Sequence, residues 1–156
     1  MSTSTSAPPE AVDVRGPRFA AWVTTVVIIA VLLVSALSHV GAAVILGVQA
    51  VVFAIGAWLG PRQHPYGLIF RAAVAPRLGP VTEKEPVPPL KFAQLVGFLF
   101  AVVGVVGFAA GIPLLGLIAT GFALVAAFLN AAFGICLGCQ IYPLVARFRR
   151  NVPSPA

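Results

Sequence analysis

The sequence predicts an all-α membrane protein with four transmembrane helices, and three observations support this fold class. The chain of 156 residues is 60% hydrophobic and only 9% charged, whereas soluble domains carry about a quarter charged residues. Four apolar runs of about 18–22 residues are each long enough to cross a hydrocarbon core as a helix. The basic residues flank these runs in a pattern that also predicts the orientation of the chain.

The four predicted helices form two tight antiparallel hairpins. Gly60 and Pro61 end the second apolar run, and Pro113 suits the first turn of the fourth helix. Within each pair the connection has only about three or four residues, too few for any arrangement other than a hairpin. The helices are expected at about 19–37, 42–59, 92–110 and 113–133.

All ten Lys and Arg residues lie before the first run, between the second and third, or after the fourth. They are Arg15, Arg18, Arg62, Arg71, Arg77, Lys84, Lys91, Arg147, Arg149 and Arg150. Cytoplasmic segments retain basic residues, so both termini are predicted to be cytoplasmic in a multi-pass plasma-membrane protein. The net charge of +6 then directs topology and meets anionic lipid headgroups. The lipid bilayer is the expected partner, and no nucleic acid is expected.

The polar segments outside the helices differ in composition. Residues 1–14 are rich in Ser, Thr, Ala and Pro, a composition that predicts a disordered N-terminal tail. The membrane domain is expected at 15–150, and a C-terminal tail at 151–156. In the cytoplasmic loop 61–91, the apolar stretch 66–74 predicts a short interfacial helix. The proline-rich remainder predicts an extended loop.

A parallel internal repeat is suggested by two similar segments. Arg18–Val23 resembles Lys91–Val96 at an offset of 73 residues, and both begin the first helix of a hairpin. The alternative is that a basic, an aromatic and small residues are common at any cytoplasmic membrane boundary. Glycines four apart, such as Gly107 and Gly111, indicate close packing within the bundle or, less simply, a homo-oligomer interface.

Cys136 and Cys139 are the only cysteines and have C-x-x-C spacing. Gly138 and Pro143 weaken a helix through this point, so a break is expected at the pair. A new helix over 140–150 would then offer its first amides to the sulfurs, opposed by the carboxyl end of the fourth transmembrane helix.

Three interpretations of the cysteine pair are open: small packing residues, a dithiol that cycles with a disulfide or persulfide, and a metal site that would need two further ligands. We predict the dithiol. Cys136 would attack, Cys139 would resolve the mixed disulfide, Gly138 would admit a partner's backbone, and Tyr142 would donate a hydrogen bond to the Cys139 sulfur. His64 shares the compartment but lies in a distant loop. No metal and no cofactor are predicted.

Polar residues within the apolar runs are few. Asn130 is the most costly if unpaired, and it would either bond across helices or line a polar path to the cysteines. The four acidic residues, Glu10, Asp13, Glu83 and Glu85, all lie outside the runs. A buried acidic proton relay is therefore not expected, which argues against a proton-coupled pump.

Four segments together resemble the bacterial domain-of-unknown-function family 4395: Arg15–Phe19, Pro76–Pro80, Lys91–Gln94 and Cys136–Tyr142. The resemblance implies a small integral-membrane protein of a kind common in actinobacteria. It also implies thioredoxin-like or sulfurtransferase neighbours, which are the partners we expect on the cytoplasmic side. It implies no reaction, so it does not decide whether the chain is an enzyme.

The leading functional hypothesis is a membrane-embedded dithiol partner in cytosolic redox or sulfur transfer. Two alternatives belong to other classes. One is a small transporter or channel component for a sulfur species. The other is a structural subunit or anchor whose loop 61–91 docks a partner, in which case the cysteines would be dispensable.

Overall fold

The structure, a computed structural model, describes residues 10–151 and is helical apart from one short two-stranded ribbon. Most of the predicted N-terminal tail and the C-terminal tail lie outside the described residues. In chain order the elements are β1 Ala11–Asp13, α1 Arg15–Ser35, α2 His39–Leu59, α3 Pro65–Ile69, a π-helical turn Phe70–Val74, a 3₁₀ turn Ala75–Arg77, β2 Lys84–Pro86, α4 Val87–Ala109, α5 Pro113–Phe133 and α6 Leu137–Asn151.

Helices α1, α2, α4 and α5 are long and apolar enough to cross a membrane, which confirms the predicted fold class. Three of them begin earlier than predicted. Helix α2 begins at His39 because the Ser38 hydroxyl accepts the Gly41 N–H at 3.0 Å and caps the first turn. Helix α4 begins at Val87 because Pro88 and Pro89 suit a first turn, where a missing N–H is not needed.

The four long helices form a bundle in which α2 packs mainly on α4 and α1 mainly on α5. Its core includes the fully buried side chains of Ile28, Val31 and Leu46. Helices α4 and α5 approach most closely at Gly107, where a Cβ atom would collide with the backbone of Gly116. Many outward side chains are large and apolar, as expected for helices in lipid, where small residues allow close helix packing.

The ribbon joins the starts of the two hairpins. Strand β1 pairs antiparallel with β2, although β1 falls in the segment predicted as a disordered tail. Side-chain contacts reinforce the ladder, because the Arg15 guanidinium binds both Asp13 carboxylate oxygens and the Gly79 carbonyl. The proline-rich loop is therefore fastened at both ends. Composition alone does not reveal such a partner strand, which lies 73 residues away.

The elements recur at the offset of 73 residues that the sequence suggests. Adding 73 to 11–13 gives 84–86, the bounds of β2, and adding it to 15–35 gives 88–108, within α4. The same shift places α2 over α5, and it places 65–77 at 138–150, within α6. The two residues paired at the centre of the ribbon, Val12 and Glu85, are also 73 positions apart in the sequence. Residues 11–77 and 84–151 thus carry the same order of elements, and they are called the first and the second repeat here.

All ten basic residues belong to one end of the bundle, here called the basic end, where α1 and α4 begin and α2 and α5 finish. The turns 36–38 and 110–112 are at the opposite end and carry none. The basic end is the end predicted to face the cytoplasm.

Candidate functional site

Cys136 and Cys139 form a disulfide at the basic end, in the connection between α5 and α6. Their Cα atoms are 5.1 Å apart, a separation usual for bonded cysteines. Both side chains are half-buried, so the pair is accessible and is not part of the packed core. Cys136 precedes the first residue of α6, and Cys139 lies in the first turn of that helix.

The chain breaks before the cysteine pair, whereas the break was expected at the pair itself. Gly134 has φ +67°, a left-handed conformation that glycine adopts without steric cost and that ends α5. Its N–H bonds to the Asn130 carbonyl at 3.1 Å, and the Ile135 N–H bonds to the Leu129 carbonyl at 3.2 Å. Pro143 lies inside α6 without ending it. The break is thus caused by Gly134.

This early break places Cys136 at the cap position of α6. Its Sγ accepts the N–H of Cys139 at 3.3 Å, and its carbonyl accepts the N–H of Gln140 at 3.0 Å. The start of a helix carries partial positive charge, which stabilises negative charge on a sulfur there. After reduction, the same amide can donate to a Cys136 thiolate. Cys139, one turn into the helix, lacks this position.

The opposing carboxyl end of α5 is partly satisfied by other donors. The Gly134 and Ile135 amides occupy two of its last carbonyls, and Arg18 Nη2 donates to a third, that of Ala131, at 3.4 Å. The Arg18 guanidinium also brings a positive charge to this connection, since it lies beside Gly134. The start of α6 and the Arg18 guanidinium thus both bring positive charge to the connection that contains Cys136.

Gly138 and Tyr142 contact α4, which differs from the roles predicted for them. A Cβ atom on Gly138 would lie 2.6 Å from Ala93 Cα and 2.7 Å from Ala93 Cβ, so this buried glycine lets α6 touch α4. It does not face outward toward a partner backbone. The Tyr142 ring packs on Phe92 at 5.9 Å between centroids. Within residues 10–151, Tyr142 makes no hydrogen bond to Cys139.

A cavity of about 280 Å³, here called the dithiol cavity, reaches Cys136 from inside the bundle. Its walls are mostly apolar and come from all four long helices and from α6. Asn130 and Gln94 are among its few polar residues. Asn130 therefore lines a cavity that touches Cys136, but the mostly apolar walls do not make it the polar path to the cysteines that was considered.

Helix α6 has one apolar and one basic side. The residues Leu137, Ile141, Leu144 and Phe148 follow helical spacing and are all more than a third exposed. The last turns carry Arg147, Arg149 and Arg150, also exposed. A helix of this kind lies along a membrane interface, with its apolar side toward lipid.

A second cluster of polar residues was not anticipated. His64 is 3% exposed and Gln49 is 1% exposed. The Tyr66 hydroxyl donates to Gln49 Oε1 at 2.7 Å, and the Tyr66 ring meets the His64 ring at 5.2 Å. The Gln94 side chain joins them, because both His64 and Gln94 crowd the position of a Cβ on Gly56. A glutamine inside α2 and a His-Pro-Tyr run just after it were the available signals.

The protonation state of His64 follows from its burial. Burial lowers the pKa of His64 to about 4, because the charged imidazolium loses its hydration inside the protein. The imidazole is therefore neutral near pH 7. No three His, Cys, Asp or Glu side chains come together in the described part of the chain.

A pH dependence of stability is expected from His64. Its pKa is lower in the folded state than the ordinary value of 6.5. The contribution of His64 to the free energy of unfolding is therefore fully present above pH 6.5 and is lost as the pH falls toward 4. The loss attributable to this group is about 3 kcal/mol. Thermal unfolding followed by tryptophan fluorescence in detergent measures it.

Replacing His64 by glutamine is expected to remove that part of the pH dependence. The control is His39→Gln at the opposite end of the bundle, where the ring is exposed. This control should keep the wild-type profile. Parallel profiles for wild type and His64→Gln between pH 7 and 4 would contradict the expectation.

Comparison with known proteins places the chain in a family. No curated protein and no solved structure matches the chain. A family model described as Domain of unknown function (DUF4395) matches residues 12–147, a range that includes all four long helices, the dithiol and His64. Since that match covers most of the 156 residues, the chain belongs to the DUF4395 family.

Proposed function

We propose that Cys136 and Cys139 are the redox centre of a membrane protein that exchanges thiols with a soluble protein at the cytoplasmic surface. The partner class we propose is a thioredoxin-like protein or a sulfurtransferase. The observation that carries the proposal is the position of a half-buried C-x-x-C pair at the start of α6, with Cys136 Sγ accepting a helix amide. Such positions make the first cysteine the more reactive one.

The proposed exchange runs through a mixed disulfide. The Cys136 thiolate attacks one sulfur of the partner's disulfide, a new S–S bond forms, and the partner's other sulfur leaves as a thiolate. The Cys139 thiolate then attacks Cys136 Sγ and releases the partner's second thiolate. The membrane dithiol is oxidised by two electrons and the partner's disulfide is reduced. The reverse sequence reduces the Cys136–Cys139 disulfide with a partner dithiol.

Sulfur transfer would use the same two atoms. The Cys136 thiolate attacks the terminal sulfur of a partner persulfide, and the partner's thiolate leaves. Cys139 then attacks Cys136 Sγ, forming the disulfide and releasing hydrosulfide. The basic side of α6 favours partners with an acidic docking surface in either case.

Trapping in the native host tests this proposal. Cys139→Ser leaves Cys136 able to attack but removes the resolving thiol, so a mixed disulfide should accumulate. Cells are quenched with acid and an alkylating agent, and adducts are identified on non-reducing gels and by mass spectrometry. The Cys136→Ser/Cys139→Ser double variant is the control and should give none.

The alternatives make different predictions in the same cells. Only free thiol at Cys136, under oxidant and sulfur stress alike, would contradict thiol exchange. A transport role would be favoured if cells lacking the protein took up labelled thiosulfate or sulfite poorly and the double serine variant restored that uptake in full. Loss of function on shortening loop 61–91, again with the cysteines dispensable, would favour a docking subunit.

A further inference from the structure

The first repeat contains a cavity of about 240 Å³, here called the His64 cavity. It lies where the α3 segment meets the start of α1, as the dithiol cavity lies where α6 meets the start of α4. Residue 63 is the repeat equivalent of Cys136, so His64 stands one position from the equivalent of the dithiol. The first repeat thus has a buried histidine between the two positions that correspond to Cys136 and Cys139.

Three buried polar atoms of residues that line this cavity lack protein partners. Among residues 10–151, no hydrogen-bond partner is found for the two ring nitrogens of His64 or for Gln94 Oε1. A buried polar group left unpaired costs about 1–3 kcal/mol, so an arrangement with three such atoms at one cavity points to a bound molecule. The cavity is also large enough for more than a single water.

The chemistry of these atoms restricts the ligand. Neutral imidazole offers one N–H donor and one acceptor nitrogen, and Gln94 Oε1 is an acceptor. A group that both donates and accepts is therefore needed, and hydroxyls have this property. A simple oxyanion, which only accepts, would leave the imidazole acceptor and Gln94 Oε1 unpaired.

The charge around the cavity is positive. Arg62 and Arg71 line it. The ion pair of Arg62 with Glu10 is on the surface, with each side chain 57% exposed, and such pairs are weak and exchangeable. The third charged residue of the lining, Asp13, is neutralised by Arg15 at 2.8 Å. The cavity therefore attracts an anion in addition to hydroxyls.

The remaining walls are apolar, and part of them belongs to the membrane helices. Ala20 of α1 and Leu90 of α4 line the cavity, together with Phe70 of the π-helical turn. A ligand that fits contributes hydroxyl, anionic and apolar parts in one molecule. We propose that the His64 cavity binds a hydroxylated phosphate ester, the headgroup of an anionic membrane lipid, with hydroxyls on His64 and Gln94 and the phosphate toward Arg62 and Arg71.

The full chain labelled with ¹³C,¹⁵N-histidine in phosphatidylcholine nanodiscs tests this site. The chain has two histidines, and His39, at the opposite end of the bundle, is an internal reference. Phosphatidylglycerol, which carries one phosphate and two hydroxyls, is added in steps. The ring resonances of His64 are expected to shift and saturate, while those of His39 stay in place.

Two charge-matched variants distinguish specific binding in the His64 cavity from nonspecific electrostatic attraction of the lipid to the basic end. Arg71→Gln removes a cation that lines the cavity, whereas Arg77→Gln removes one from the same loop outside its lining. Arg71→Gln is expected to weaken the response of His64 by about tenfold, as for loss of a charge-assisted hydrogen bond. Arg77→Gln should leave it nearly unchanged.

The source of the ester is distinguished with sn-glycerol 3-phosphate added to phosphatidylcholine nanodiscs. A His64 shift with this soluble compound but not with phosphatidylglycerol would overturn the lipid as ligand and support a soluble polyol phosphate. No shift with either, or equal weakening by the two arginine variants, would overturn the site. These readouts do not depend on the cysteines, so they are independent of the proposed thiol exchange.

Discussion

Replacing Gly138 by alanine is expected to separate α6 from α4 and to release the dithiol from its fixed position. A Cβ atom at this residue would meet Ala93 Cα at 2.6 Å, and backbone cannot move aside as a flexible side chain can. A local cost of about 2 kcal/mol raises the undocked population of α6 about 30-fold. Limited proteolysis of α6 in detergent and the rate at which the disulfide is reduced both report this population.

The matched control for Gly138→Ala is Gln140→Ala, two residues along the same helix at an exposed position. It changes the composition of α6 without touching α4. Its proteolysis and reduction rates should stay near those of the wild type. Equal rates for Gly138→Ala and the wild type would show that α6 is not held by this contact.

Replacing Gly107 by alanine is expected to destabilise the whole bundle. The added methyl group would collide with the backbone of Gly116, where α4 and α5 are closest. We expect a loss of about 2 kcal/mol in the free energy of unfolding, despite the higher helix propensity of alanine. Reversible unfolding in mixed micelles, followed by tryptophan fluorescence, measures the change.

Gly121→Ala is the control for Gly107→Ala, because nothing lies within 4 Å of a Cβ atom at Gly121. The same substitution there should be neutral, or stabilising by up to about 1 kcal/mol. If the two variants unfolded alike, the close packing of α4 on α5 would not limit stability. Comparing the two variants separates the effect of helix packing on the free energy of unfolding from the effect of helix propensity.

The long helices could be predicted because bilayer thickness and hydropathy act on each segment alone. The expected 113–133 coincides with α5, and the expected 42–59 differs from α2 only at its start, where the Ser38 cap adds three residues. The ribbon could not be predicted in this way. Its two strands have only three residues each, and each depends on a partner that sequence periodicity does not identify.

The candidate site was predictable in its chemistry and less so in its geometry. The C-x-x-C spacing marked Cys136 and Cys139, but Pro143 suggested a break at the pair, whereas left-handed Gly134 makes the break first. This difference of two residues puts Cys136 at a helix cap. His64 was overlooked because its burial arises from tertiary contacts with Tyr66 and Gln94, which no local pattern reveals.

The central claim, that Cys136 is the attacking thiol, is tested most directly by comparing Cys139→Ser with Cys136→Ser in native membranes. Both variants retain one thiol, and the yield of mixed disulfide is quantified by mass spectrometry after acid quenching. We expect the adduct through Cys136 in Cys139→Ser to exceed that through Cys139 in Cys136→Ser by about tenfold or more, given the helix-cap position of Cys136. Equal yields, or adducts only through Cys139, would contradict the account.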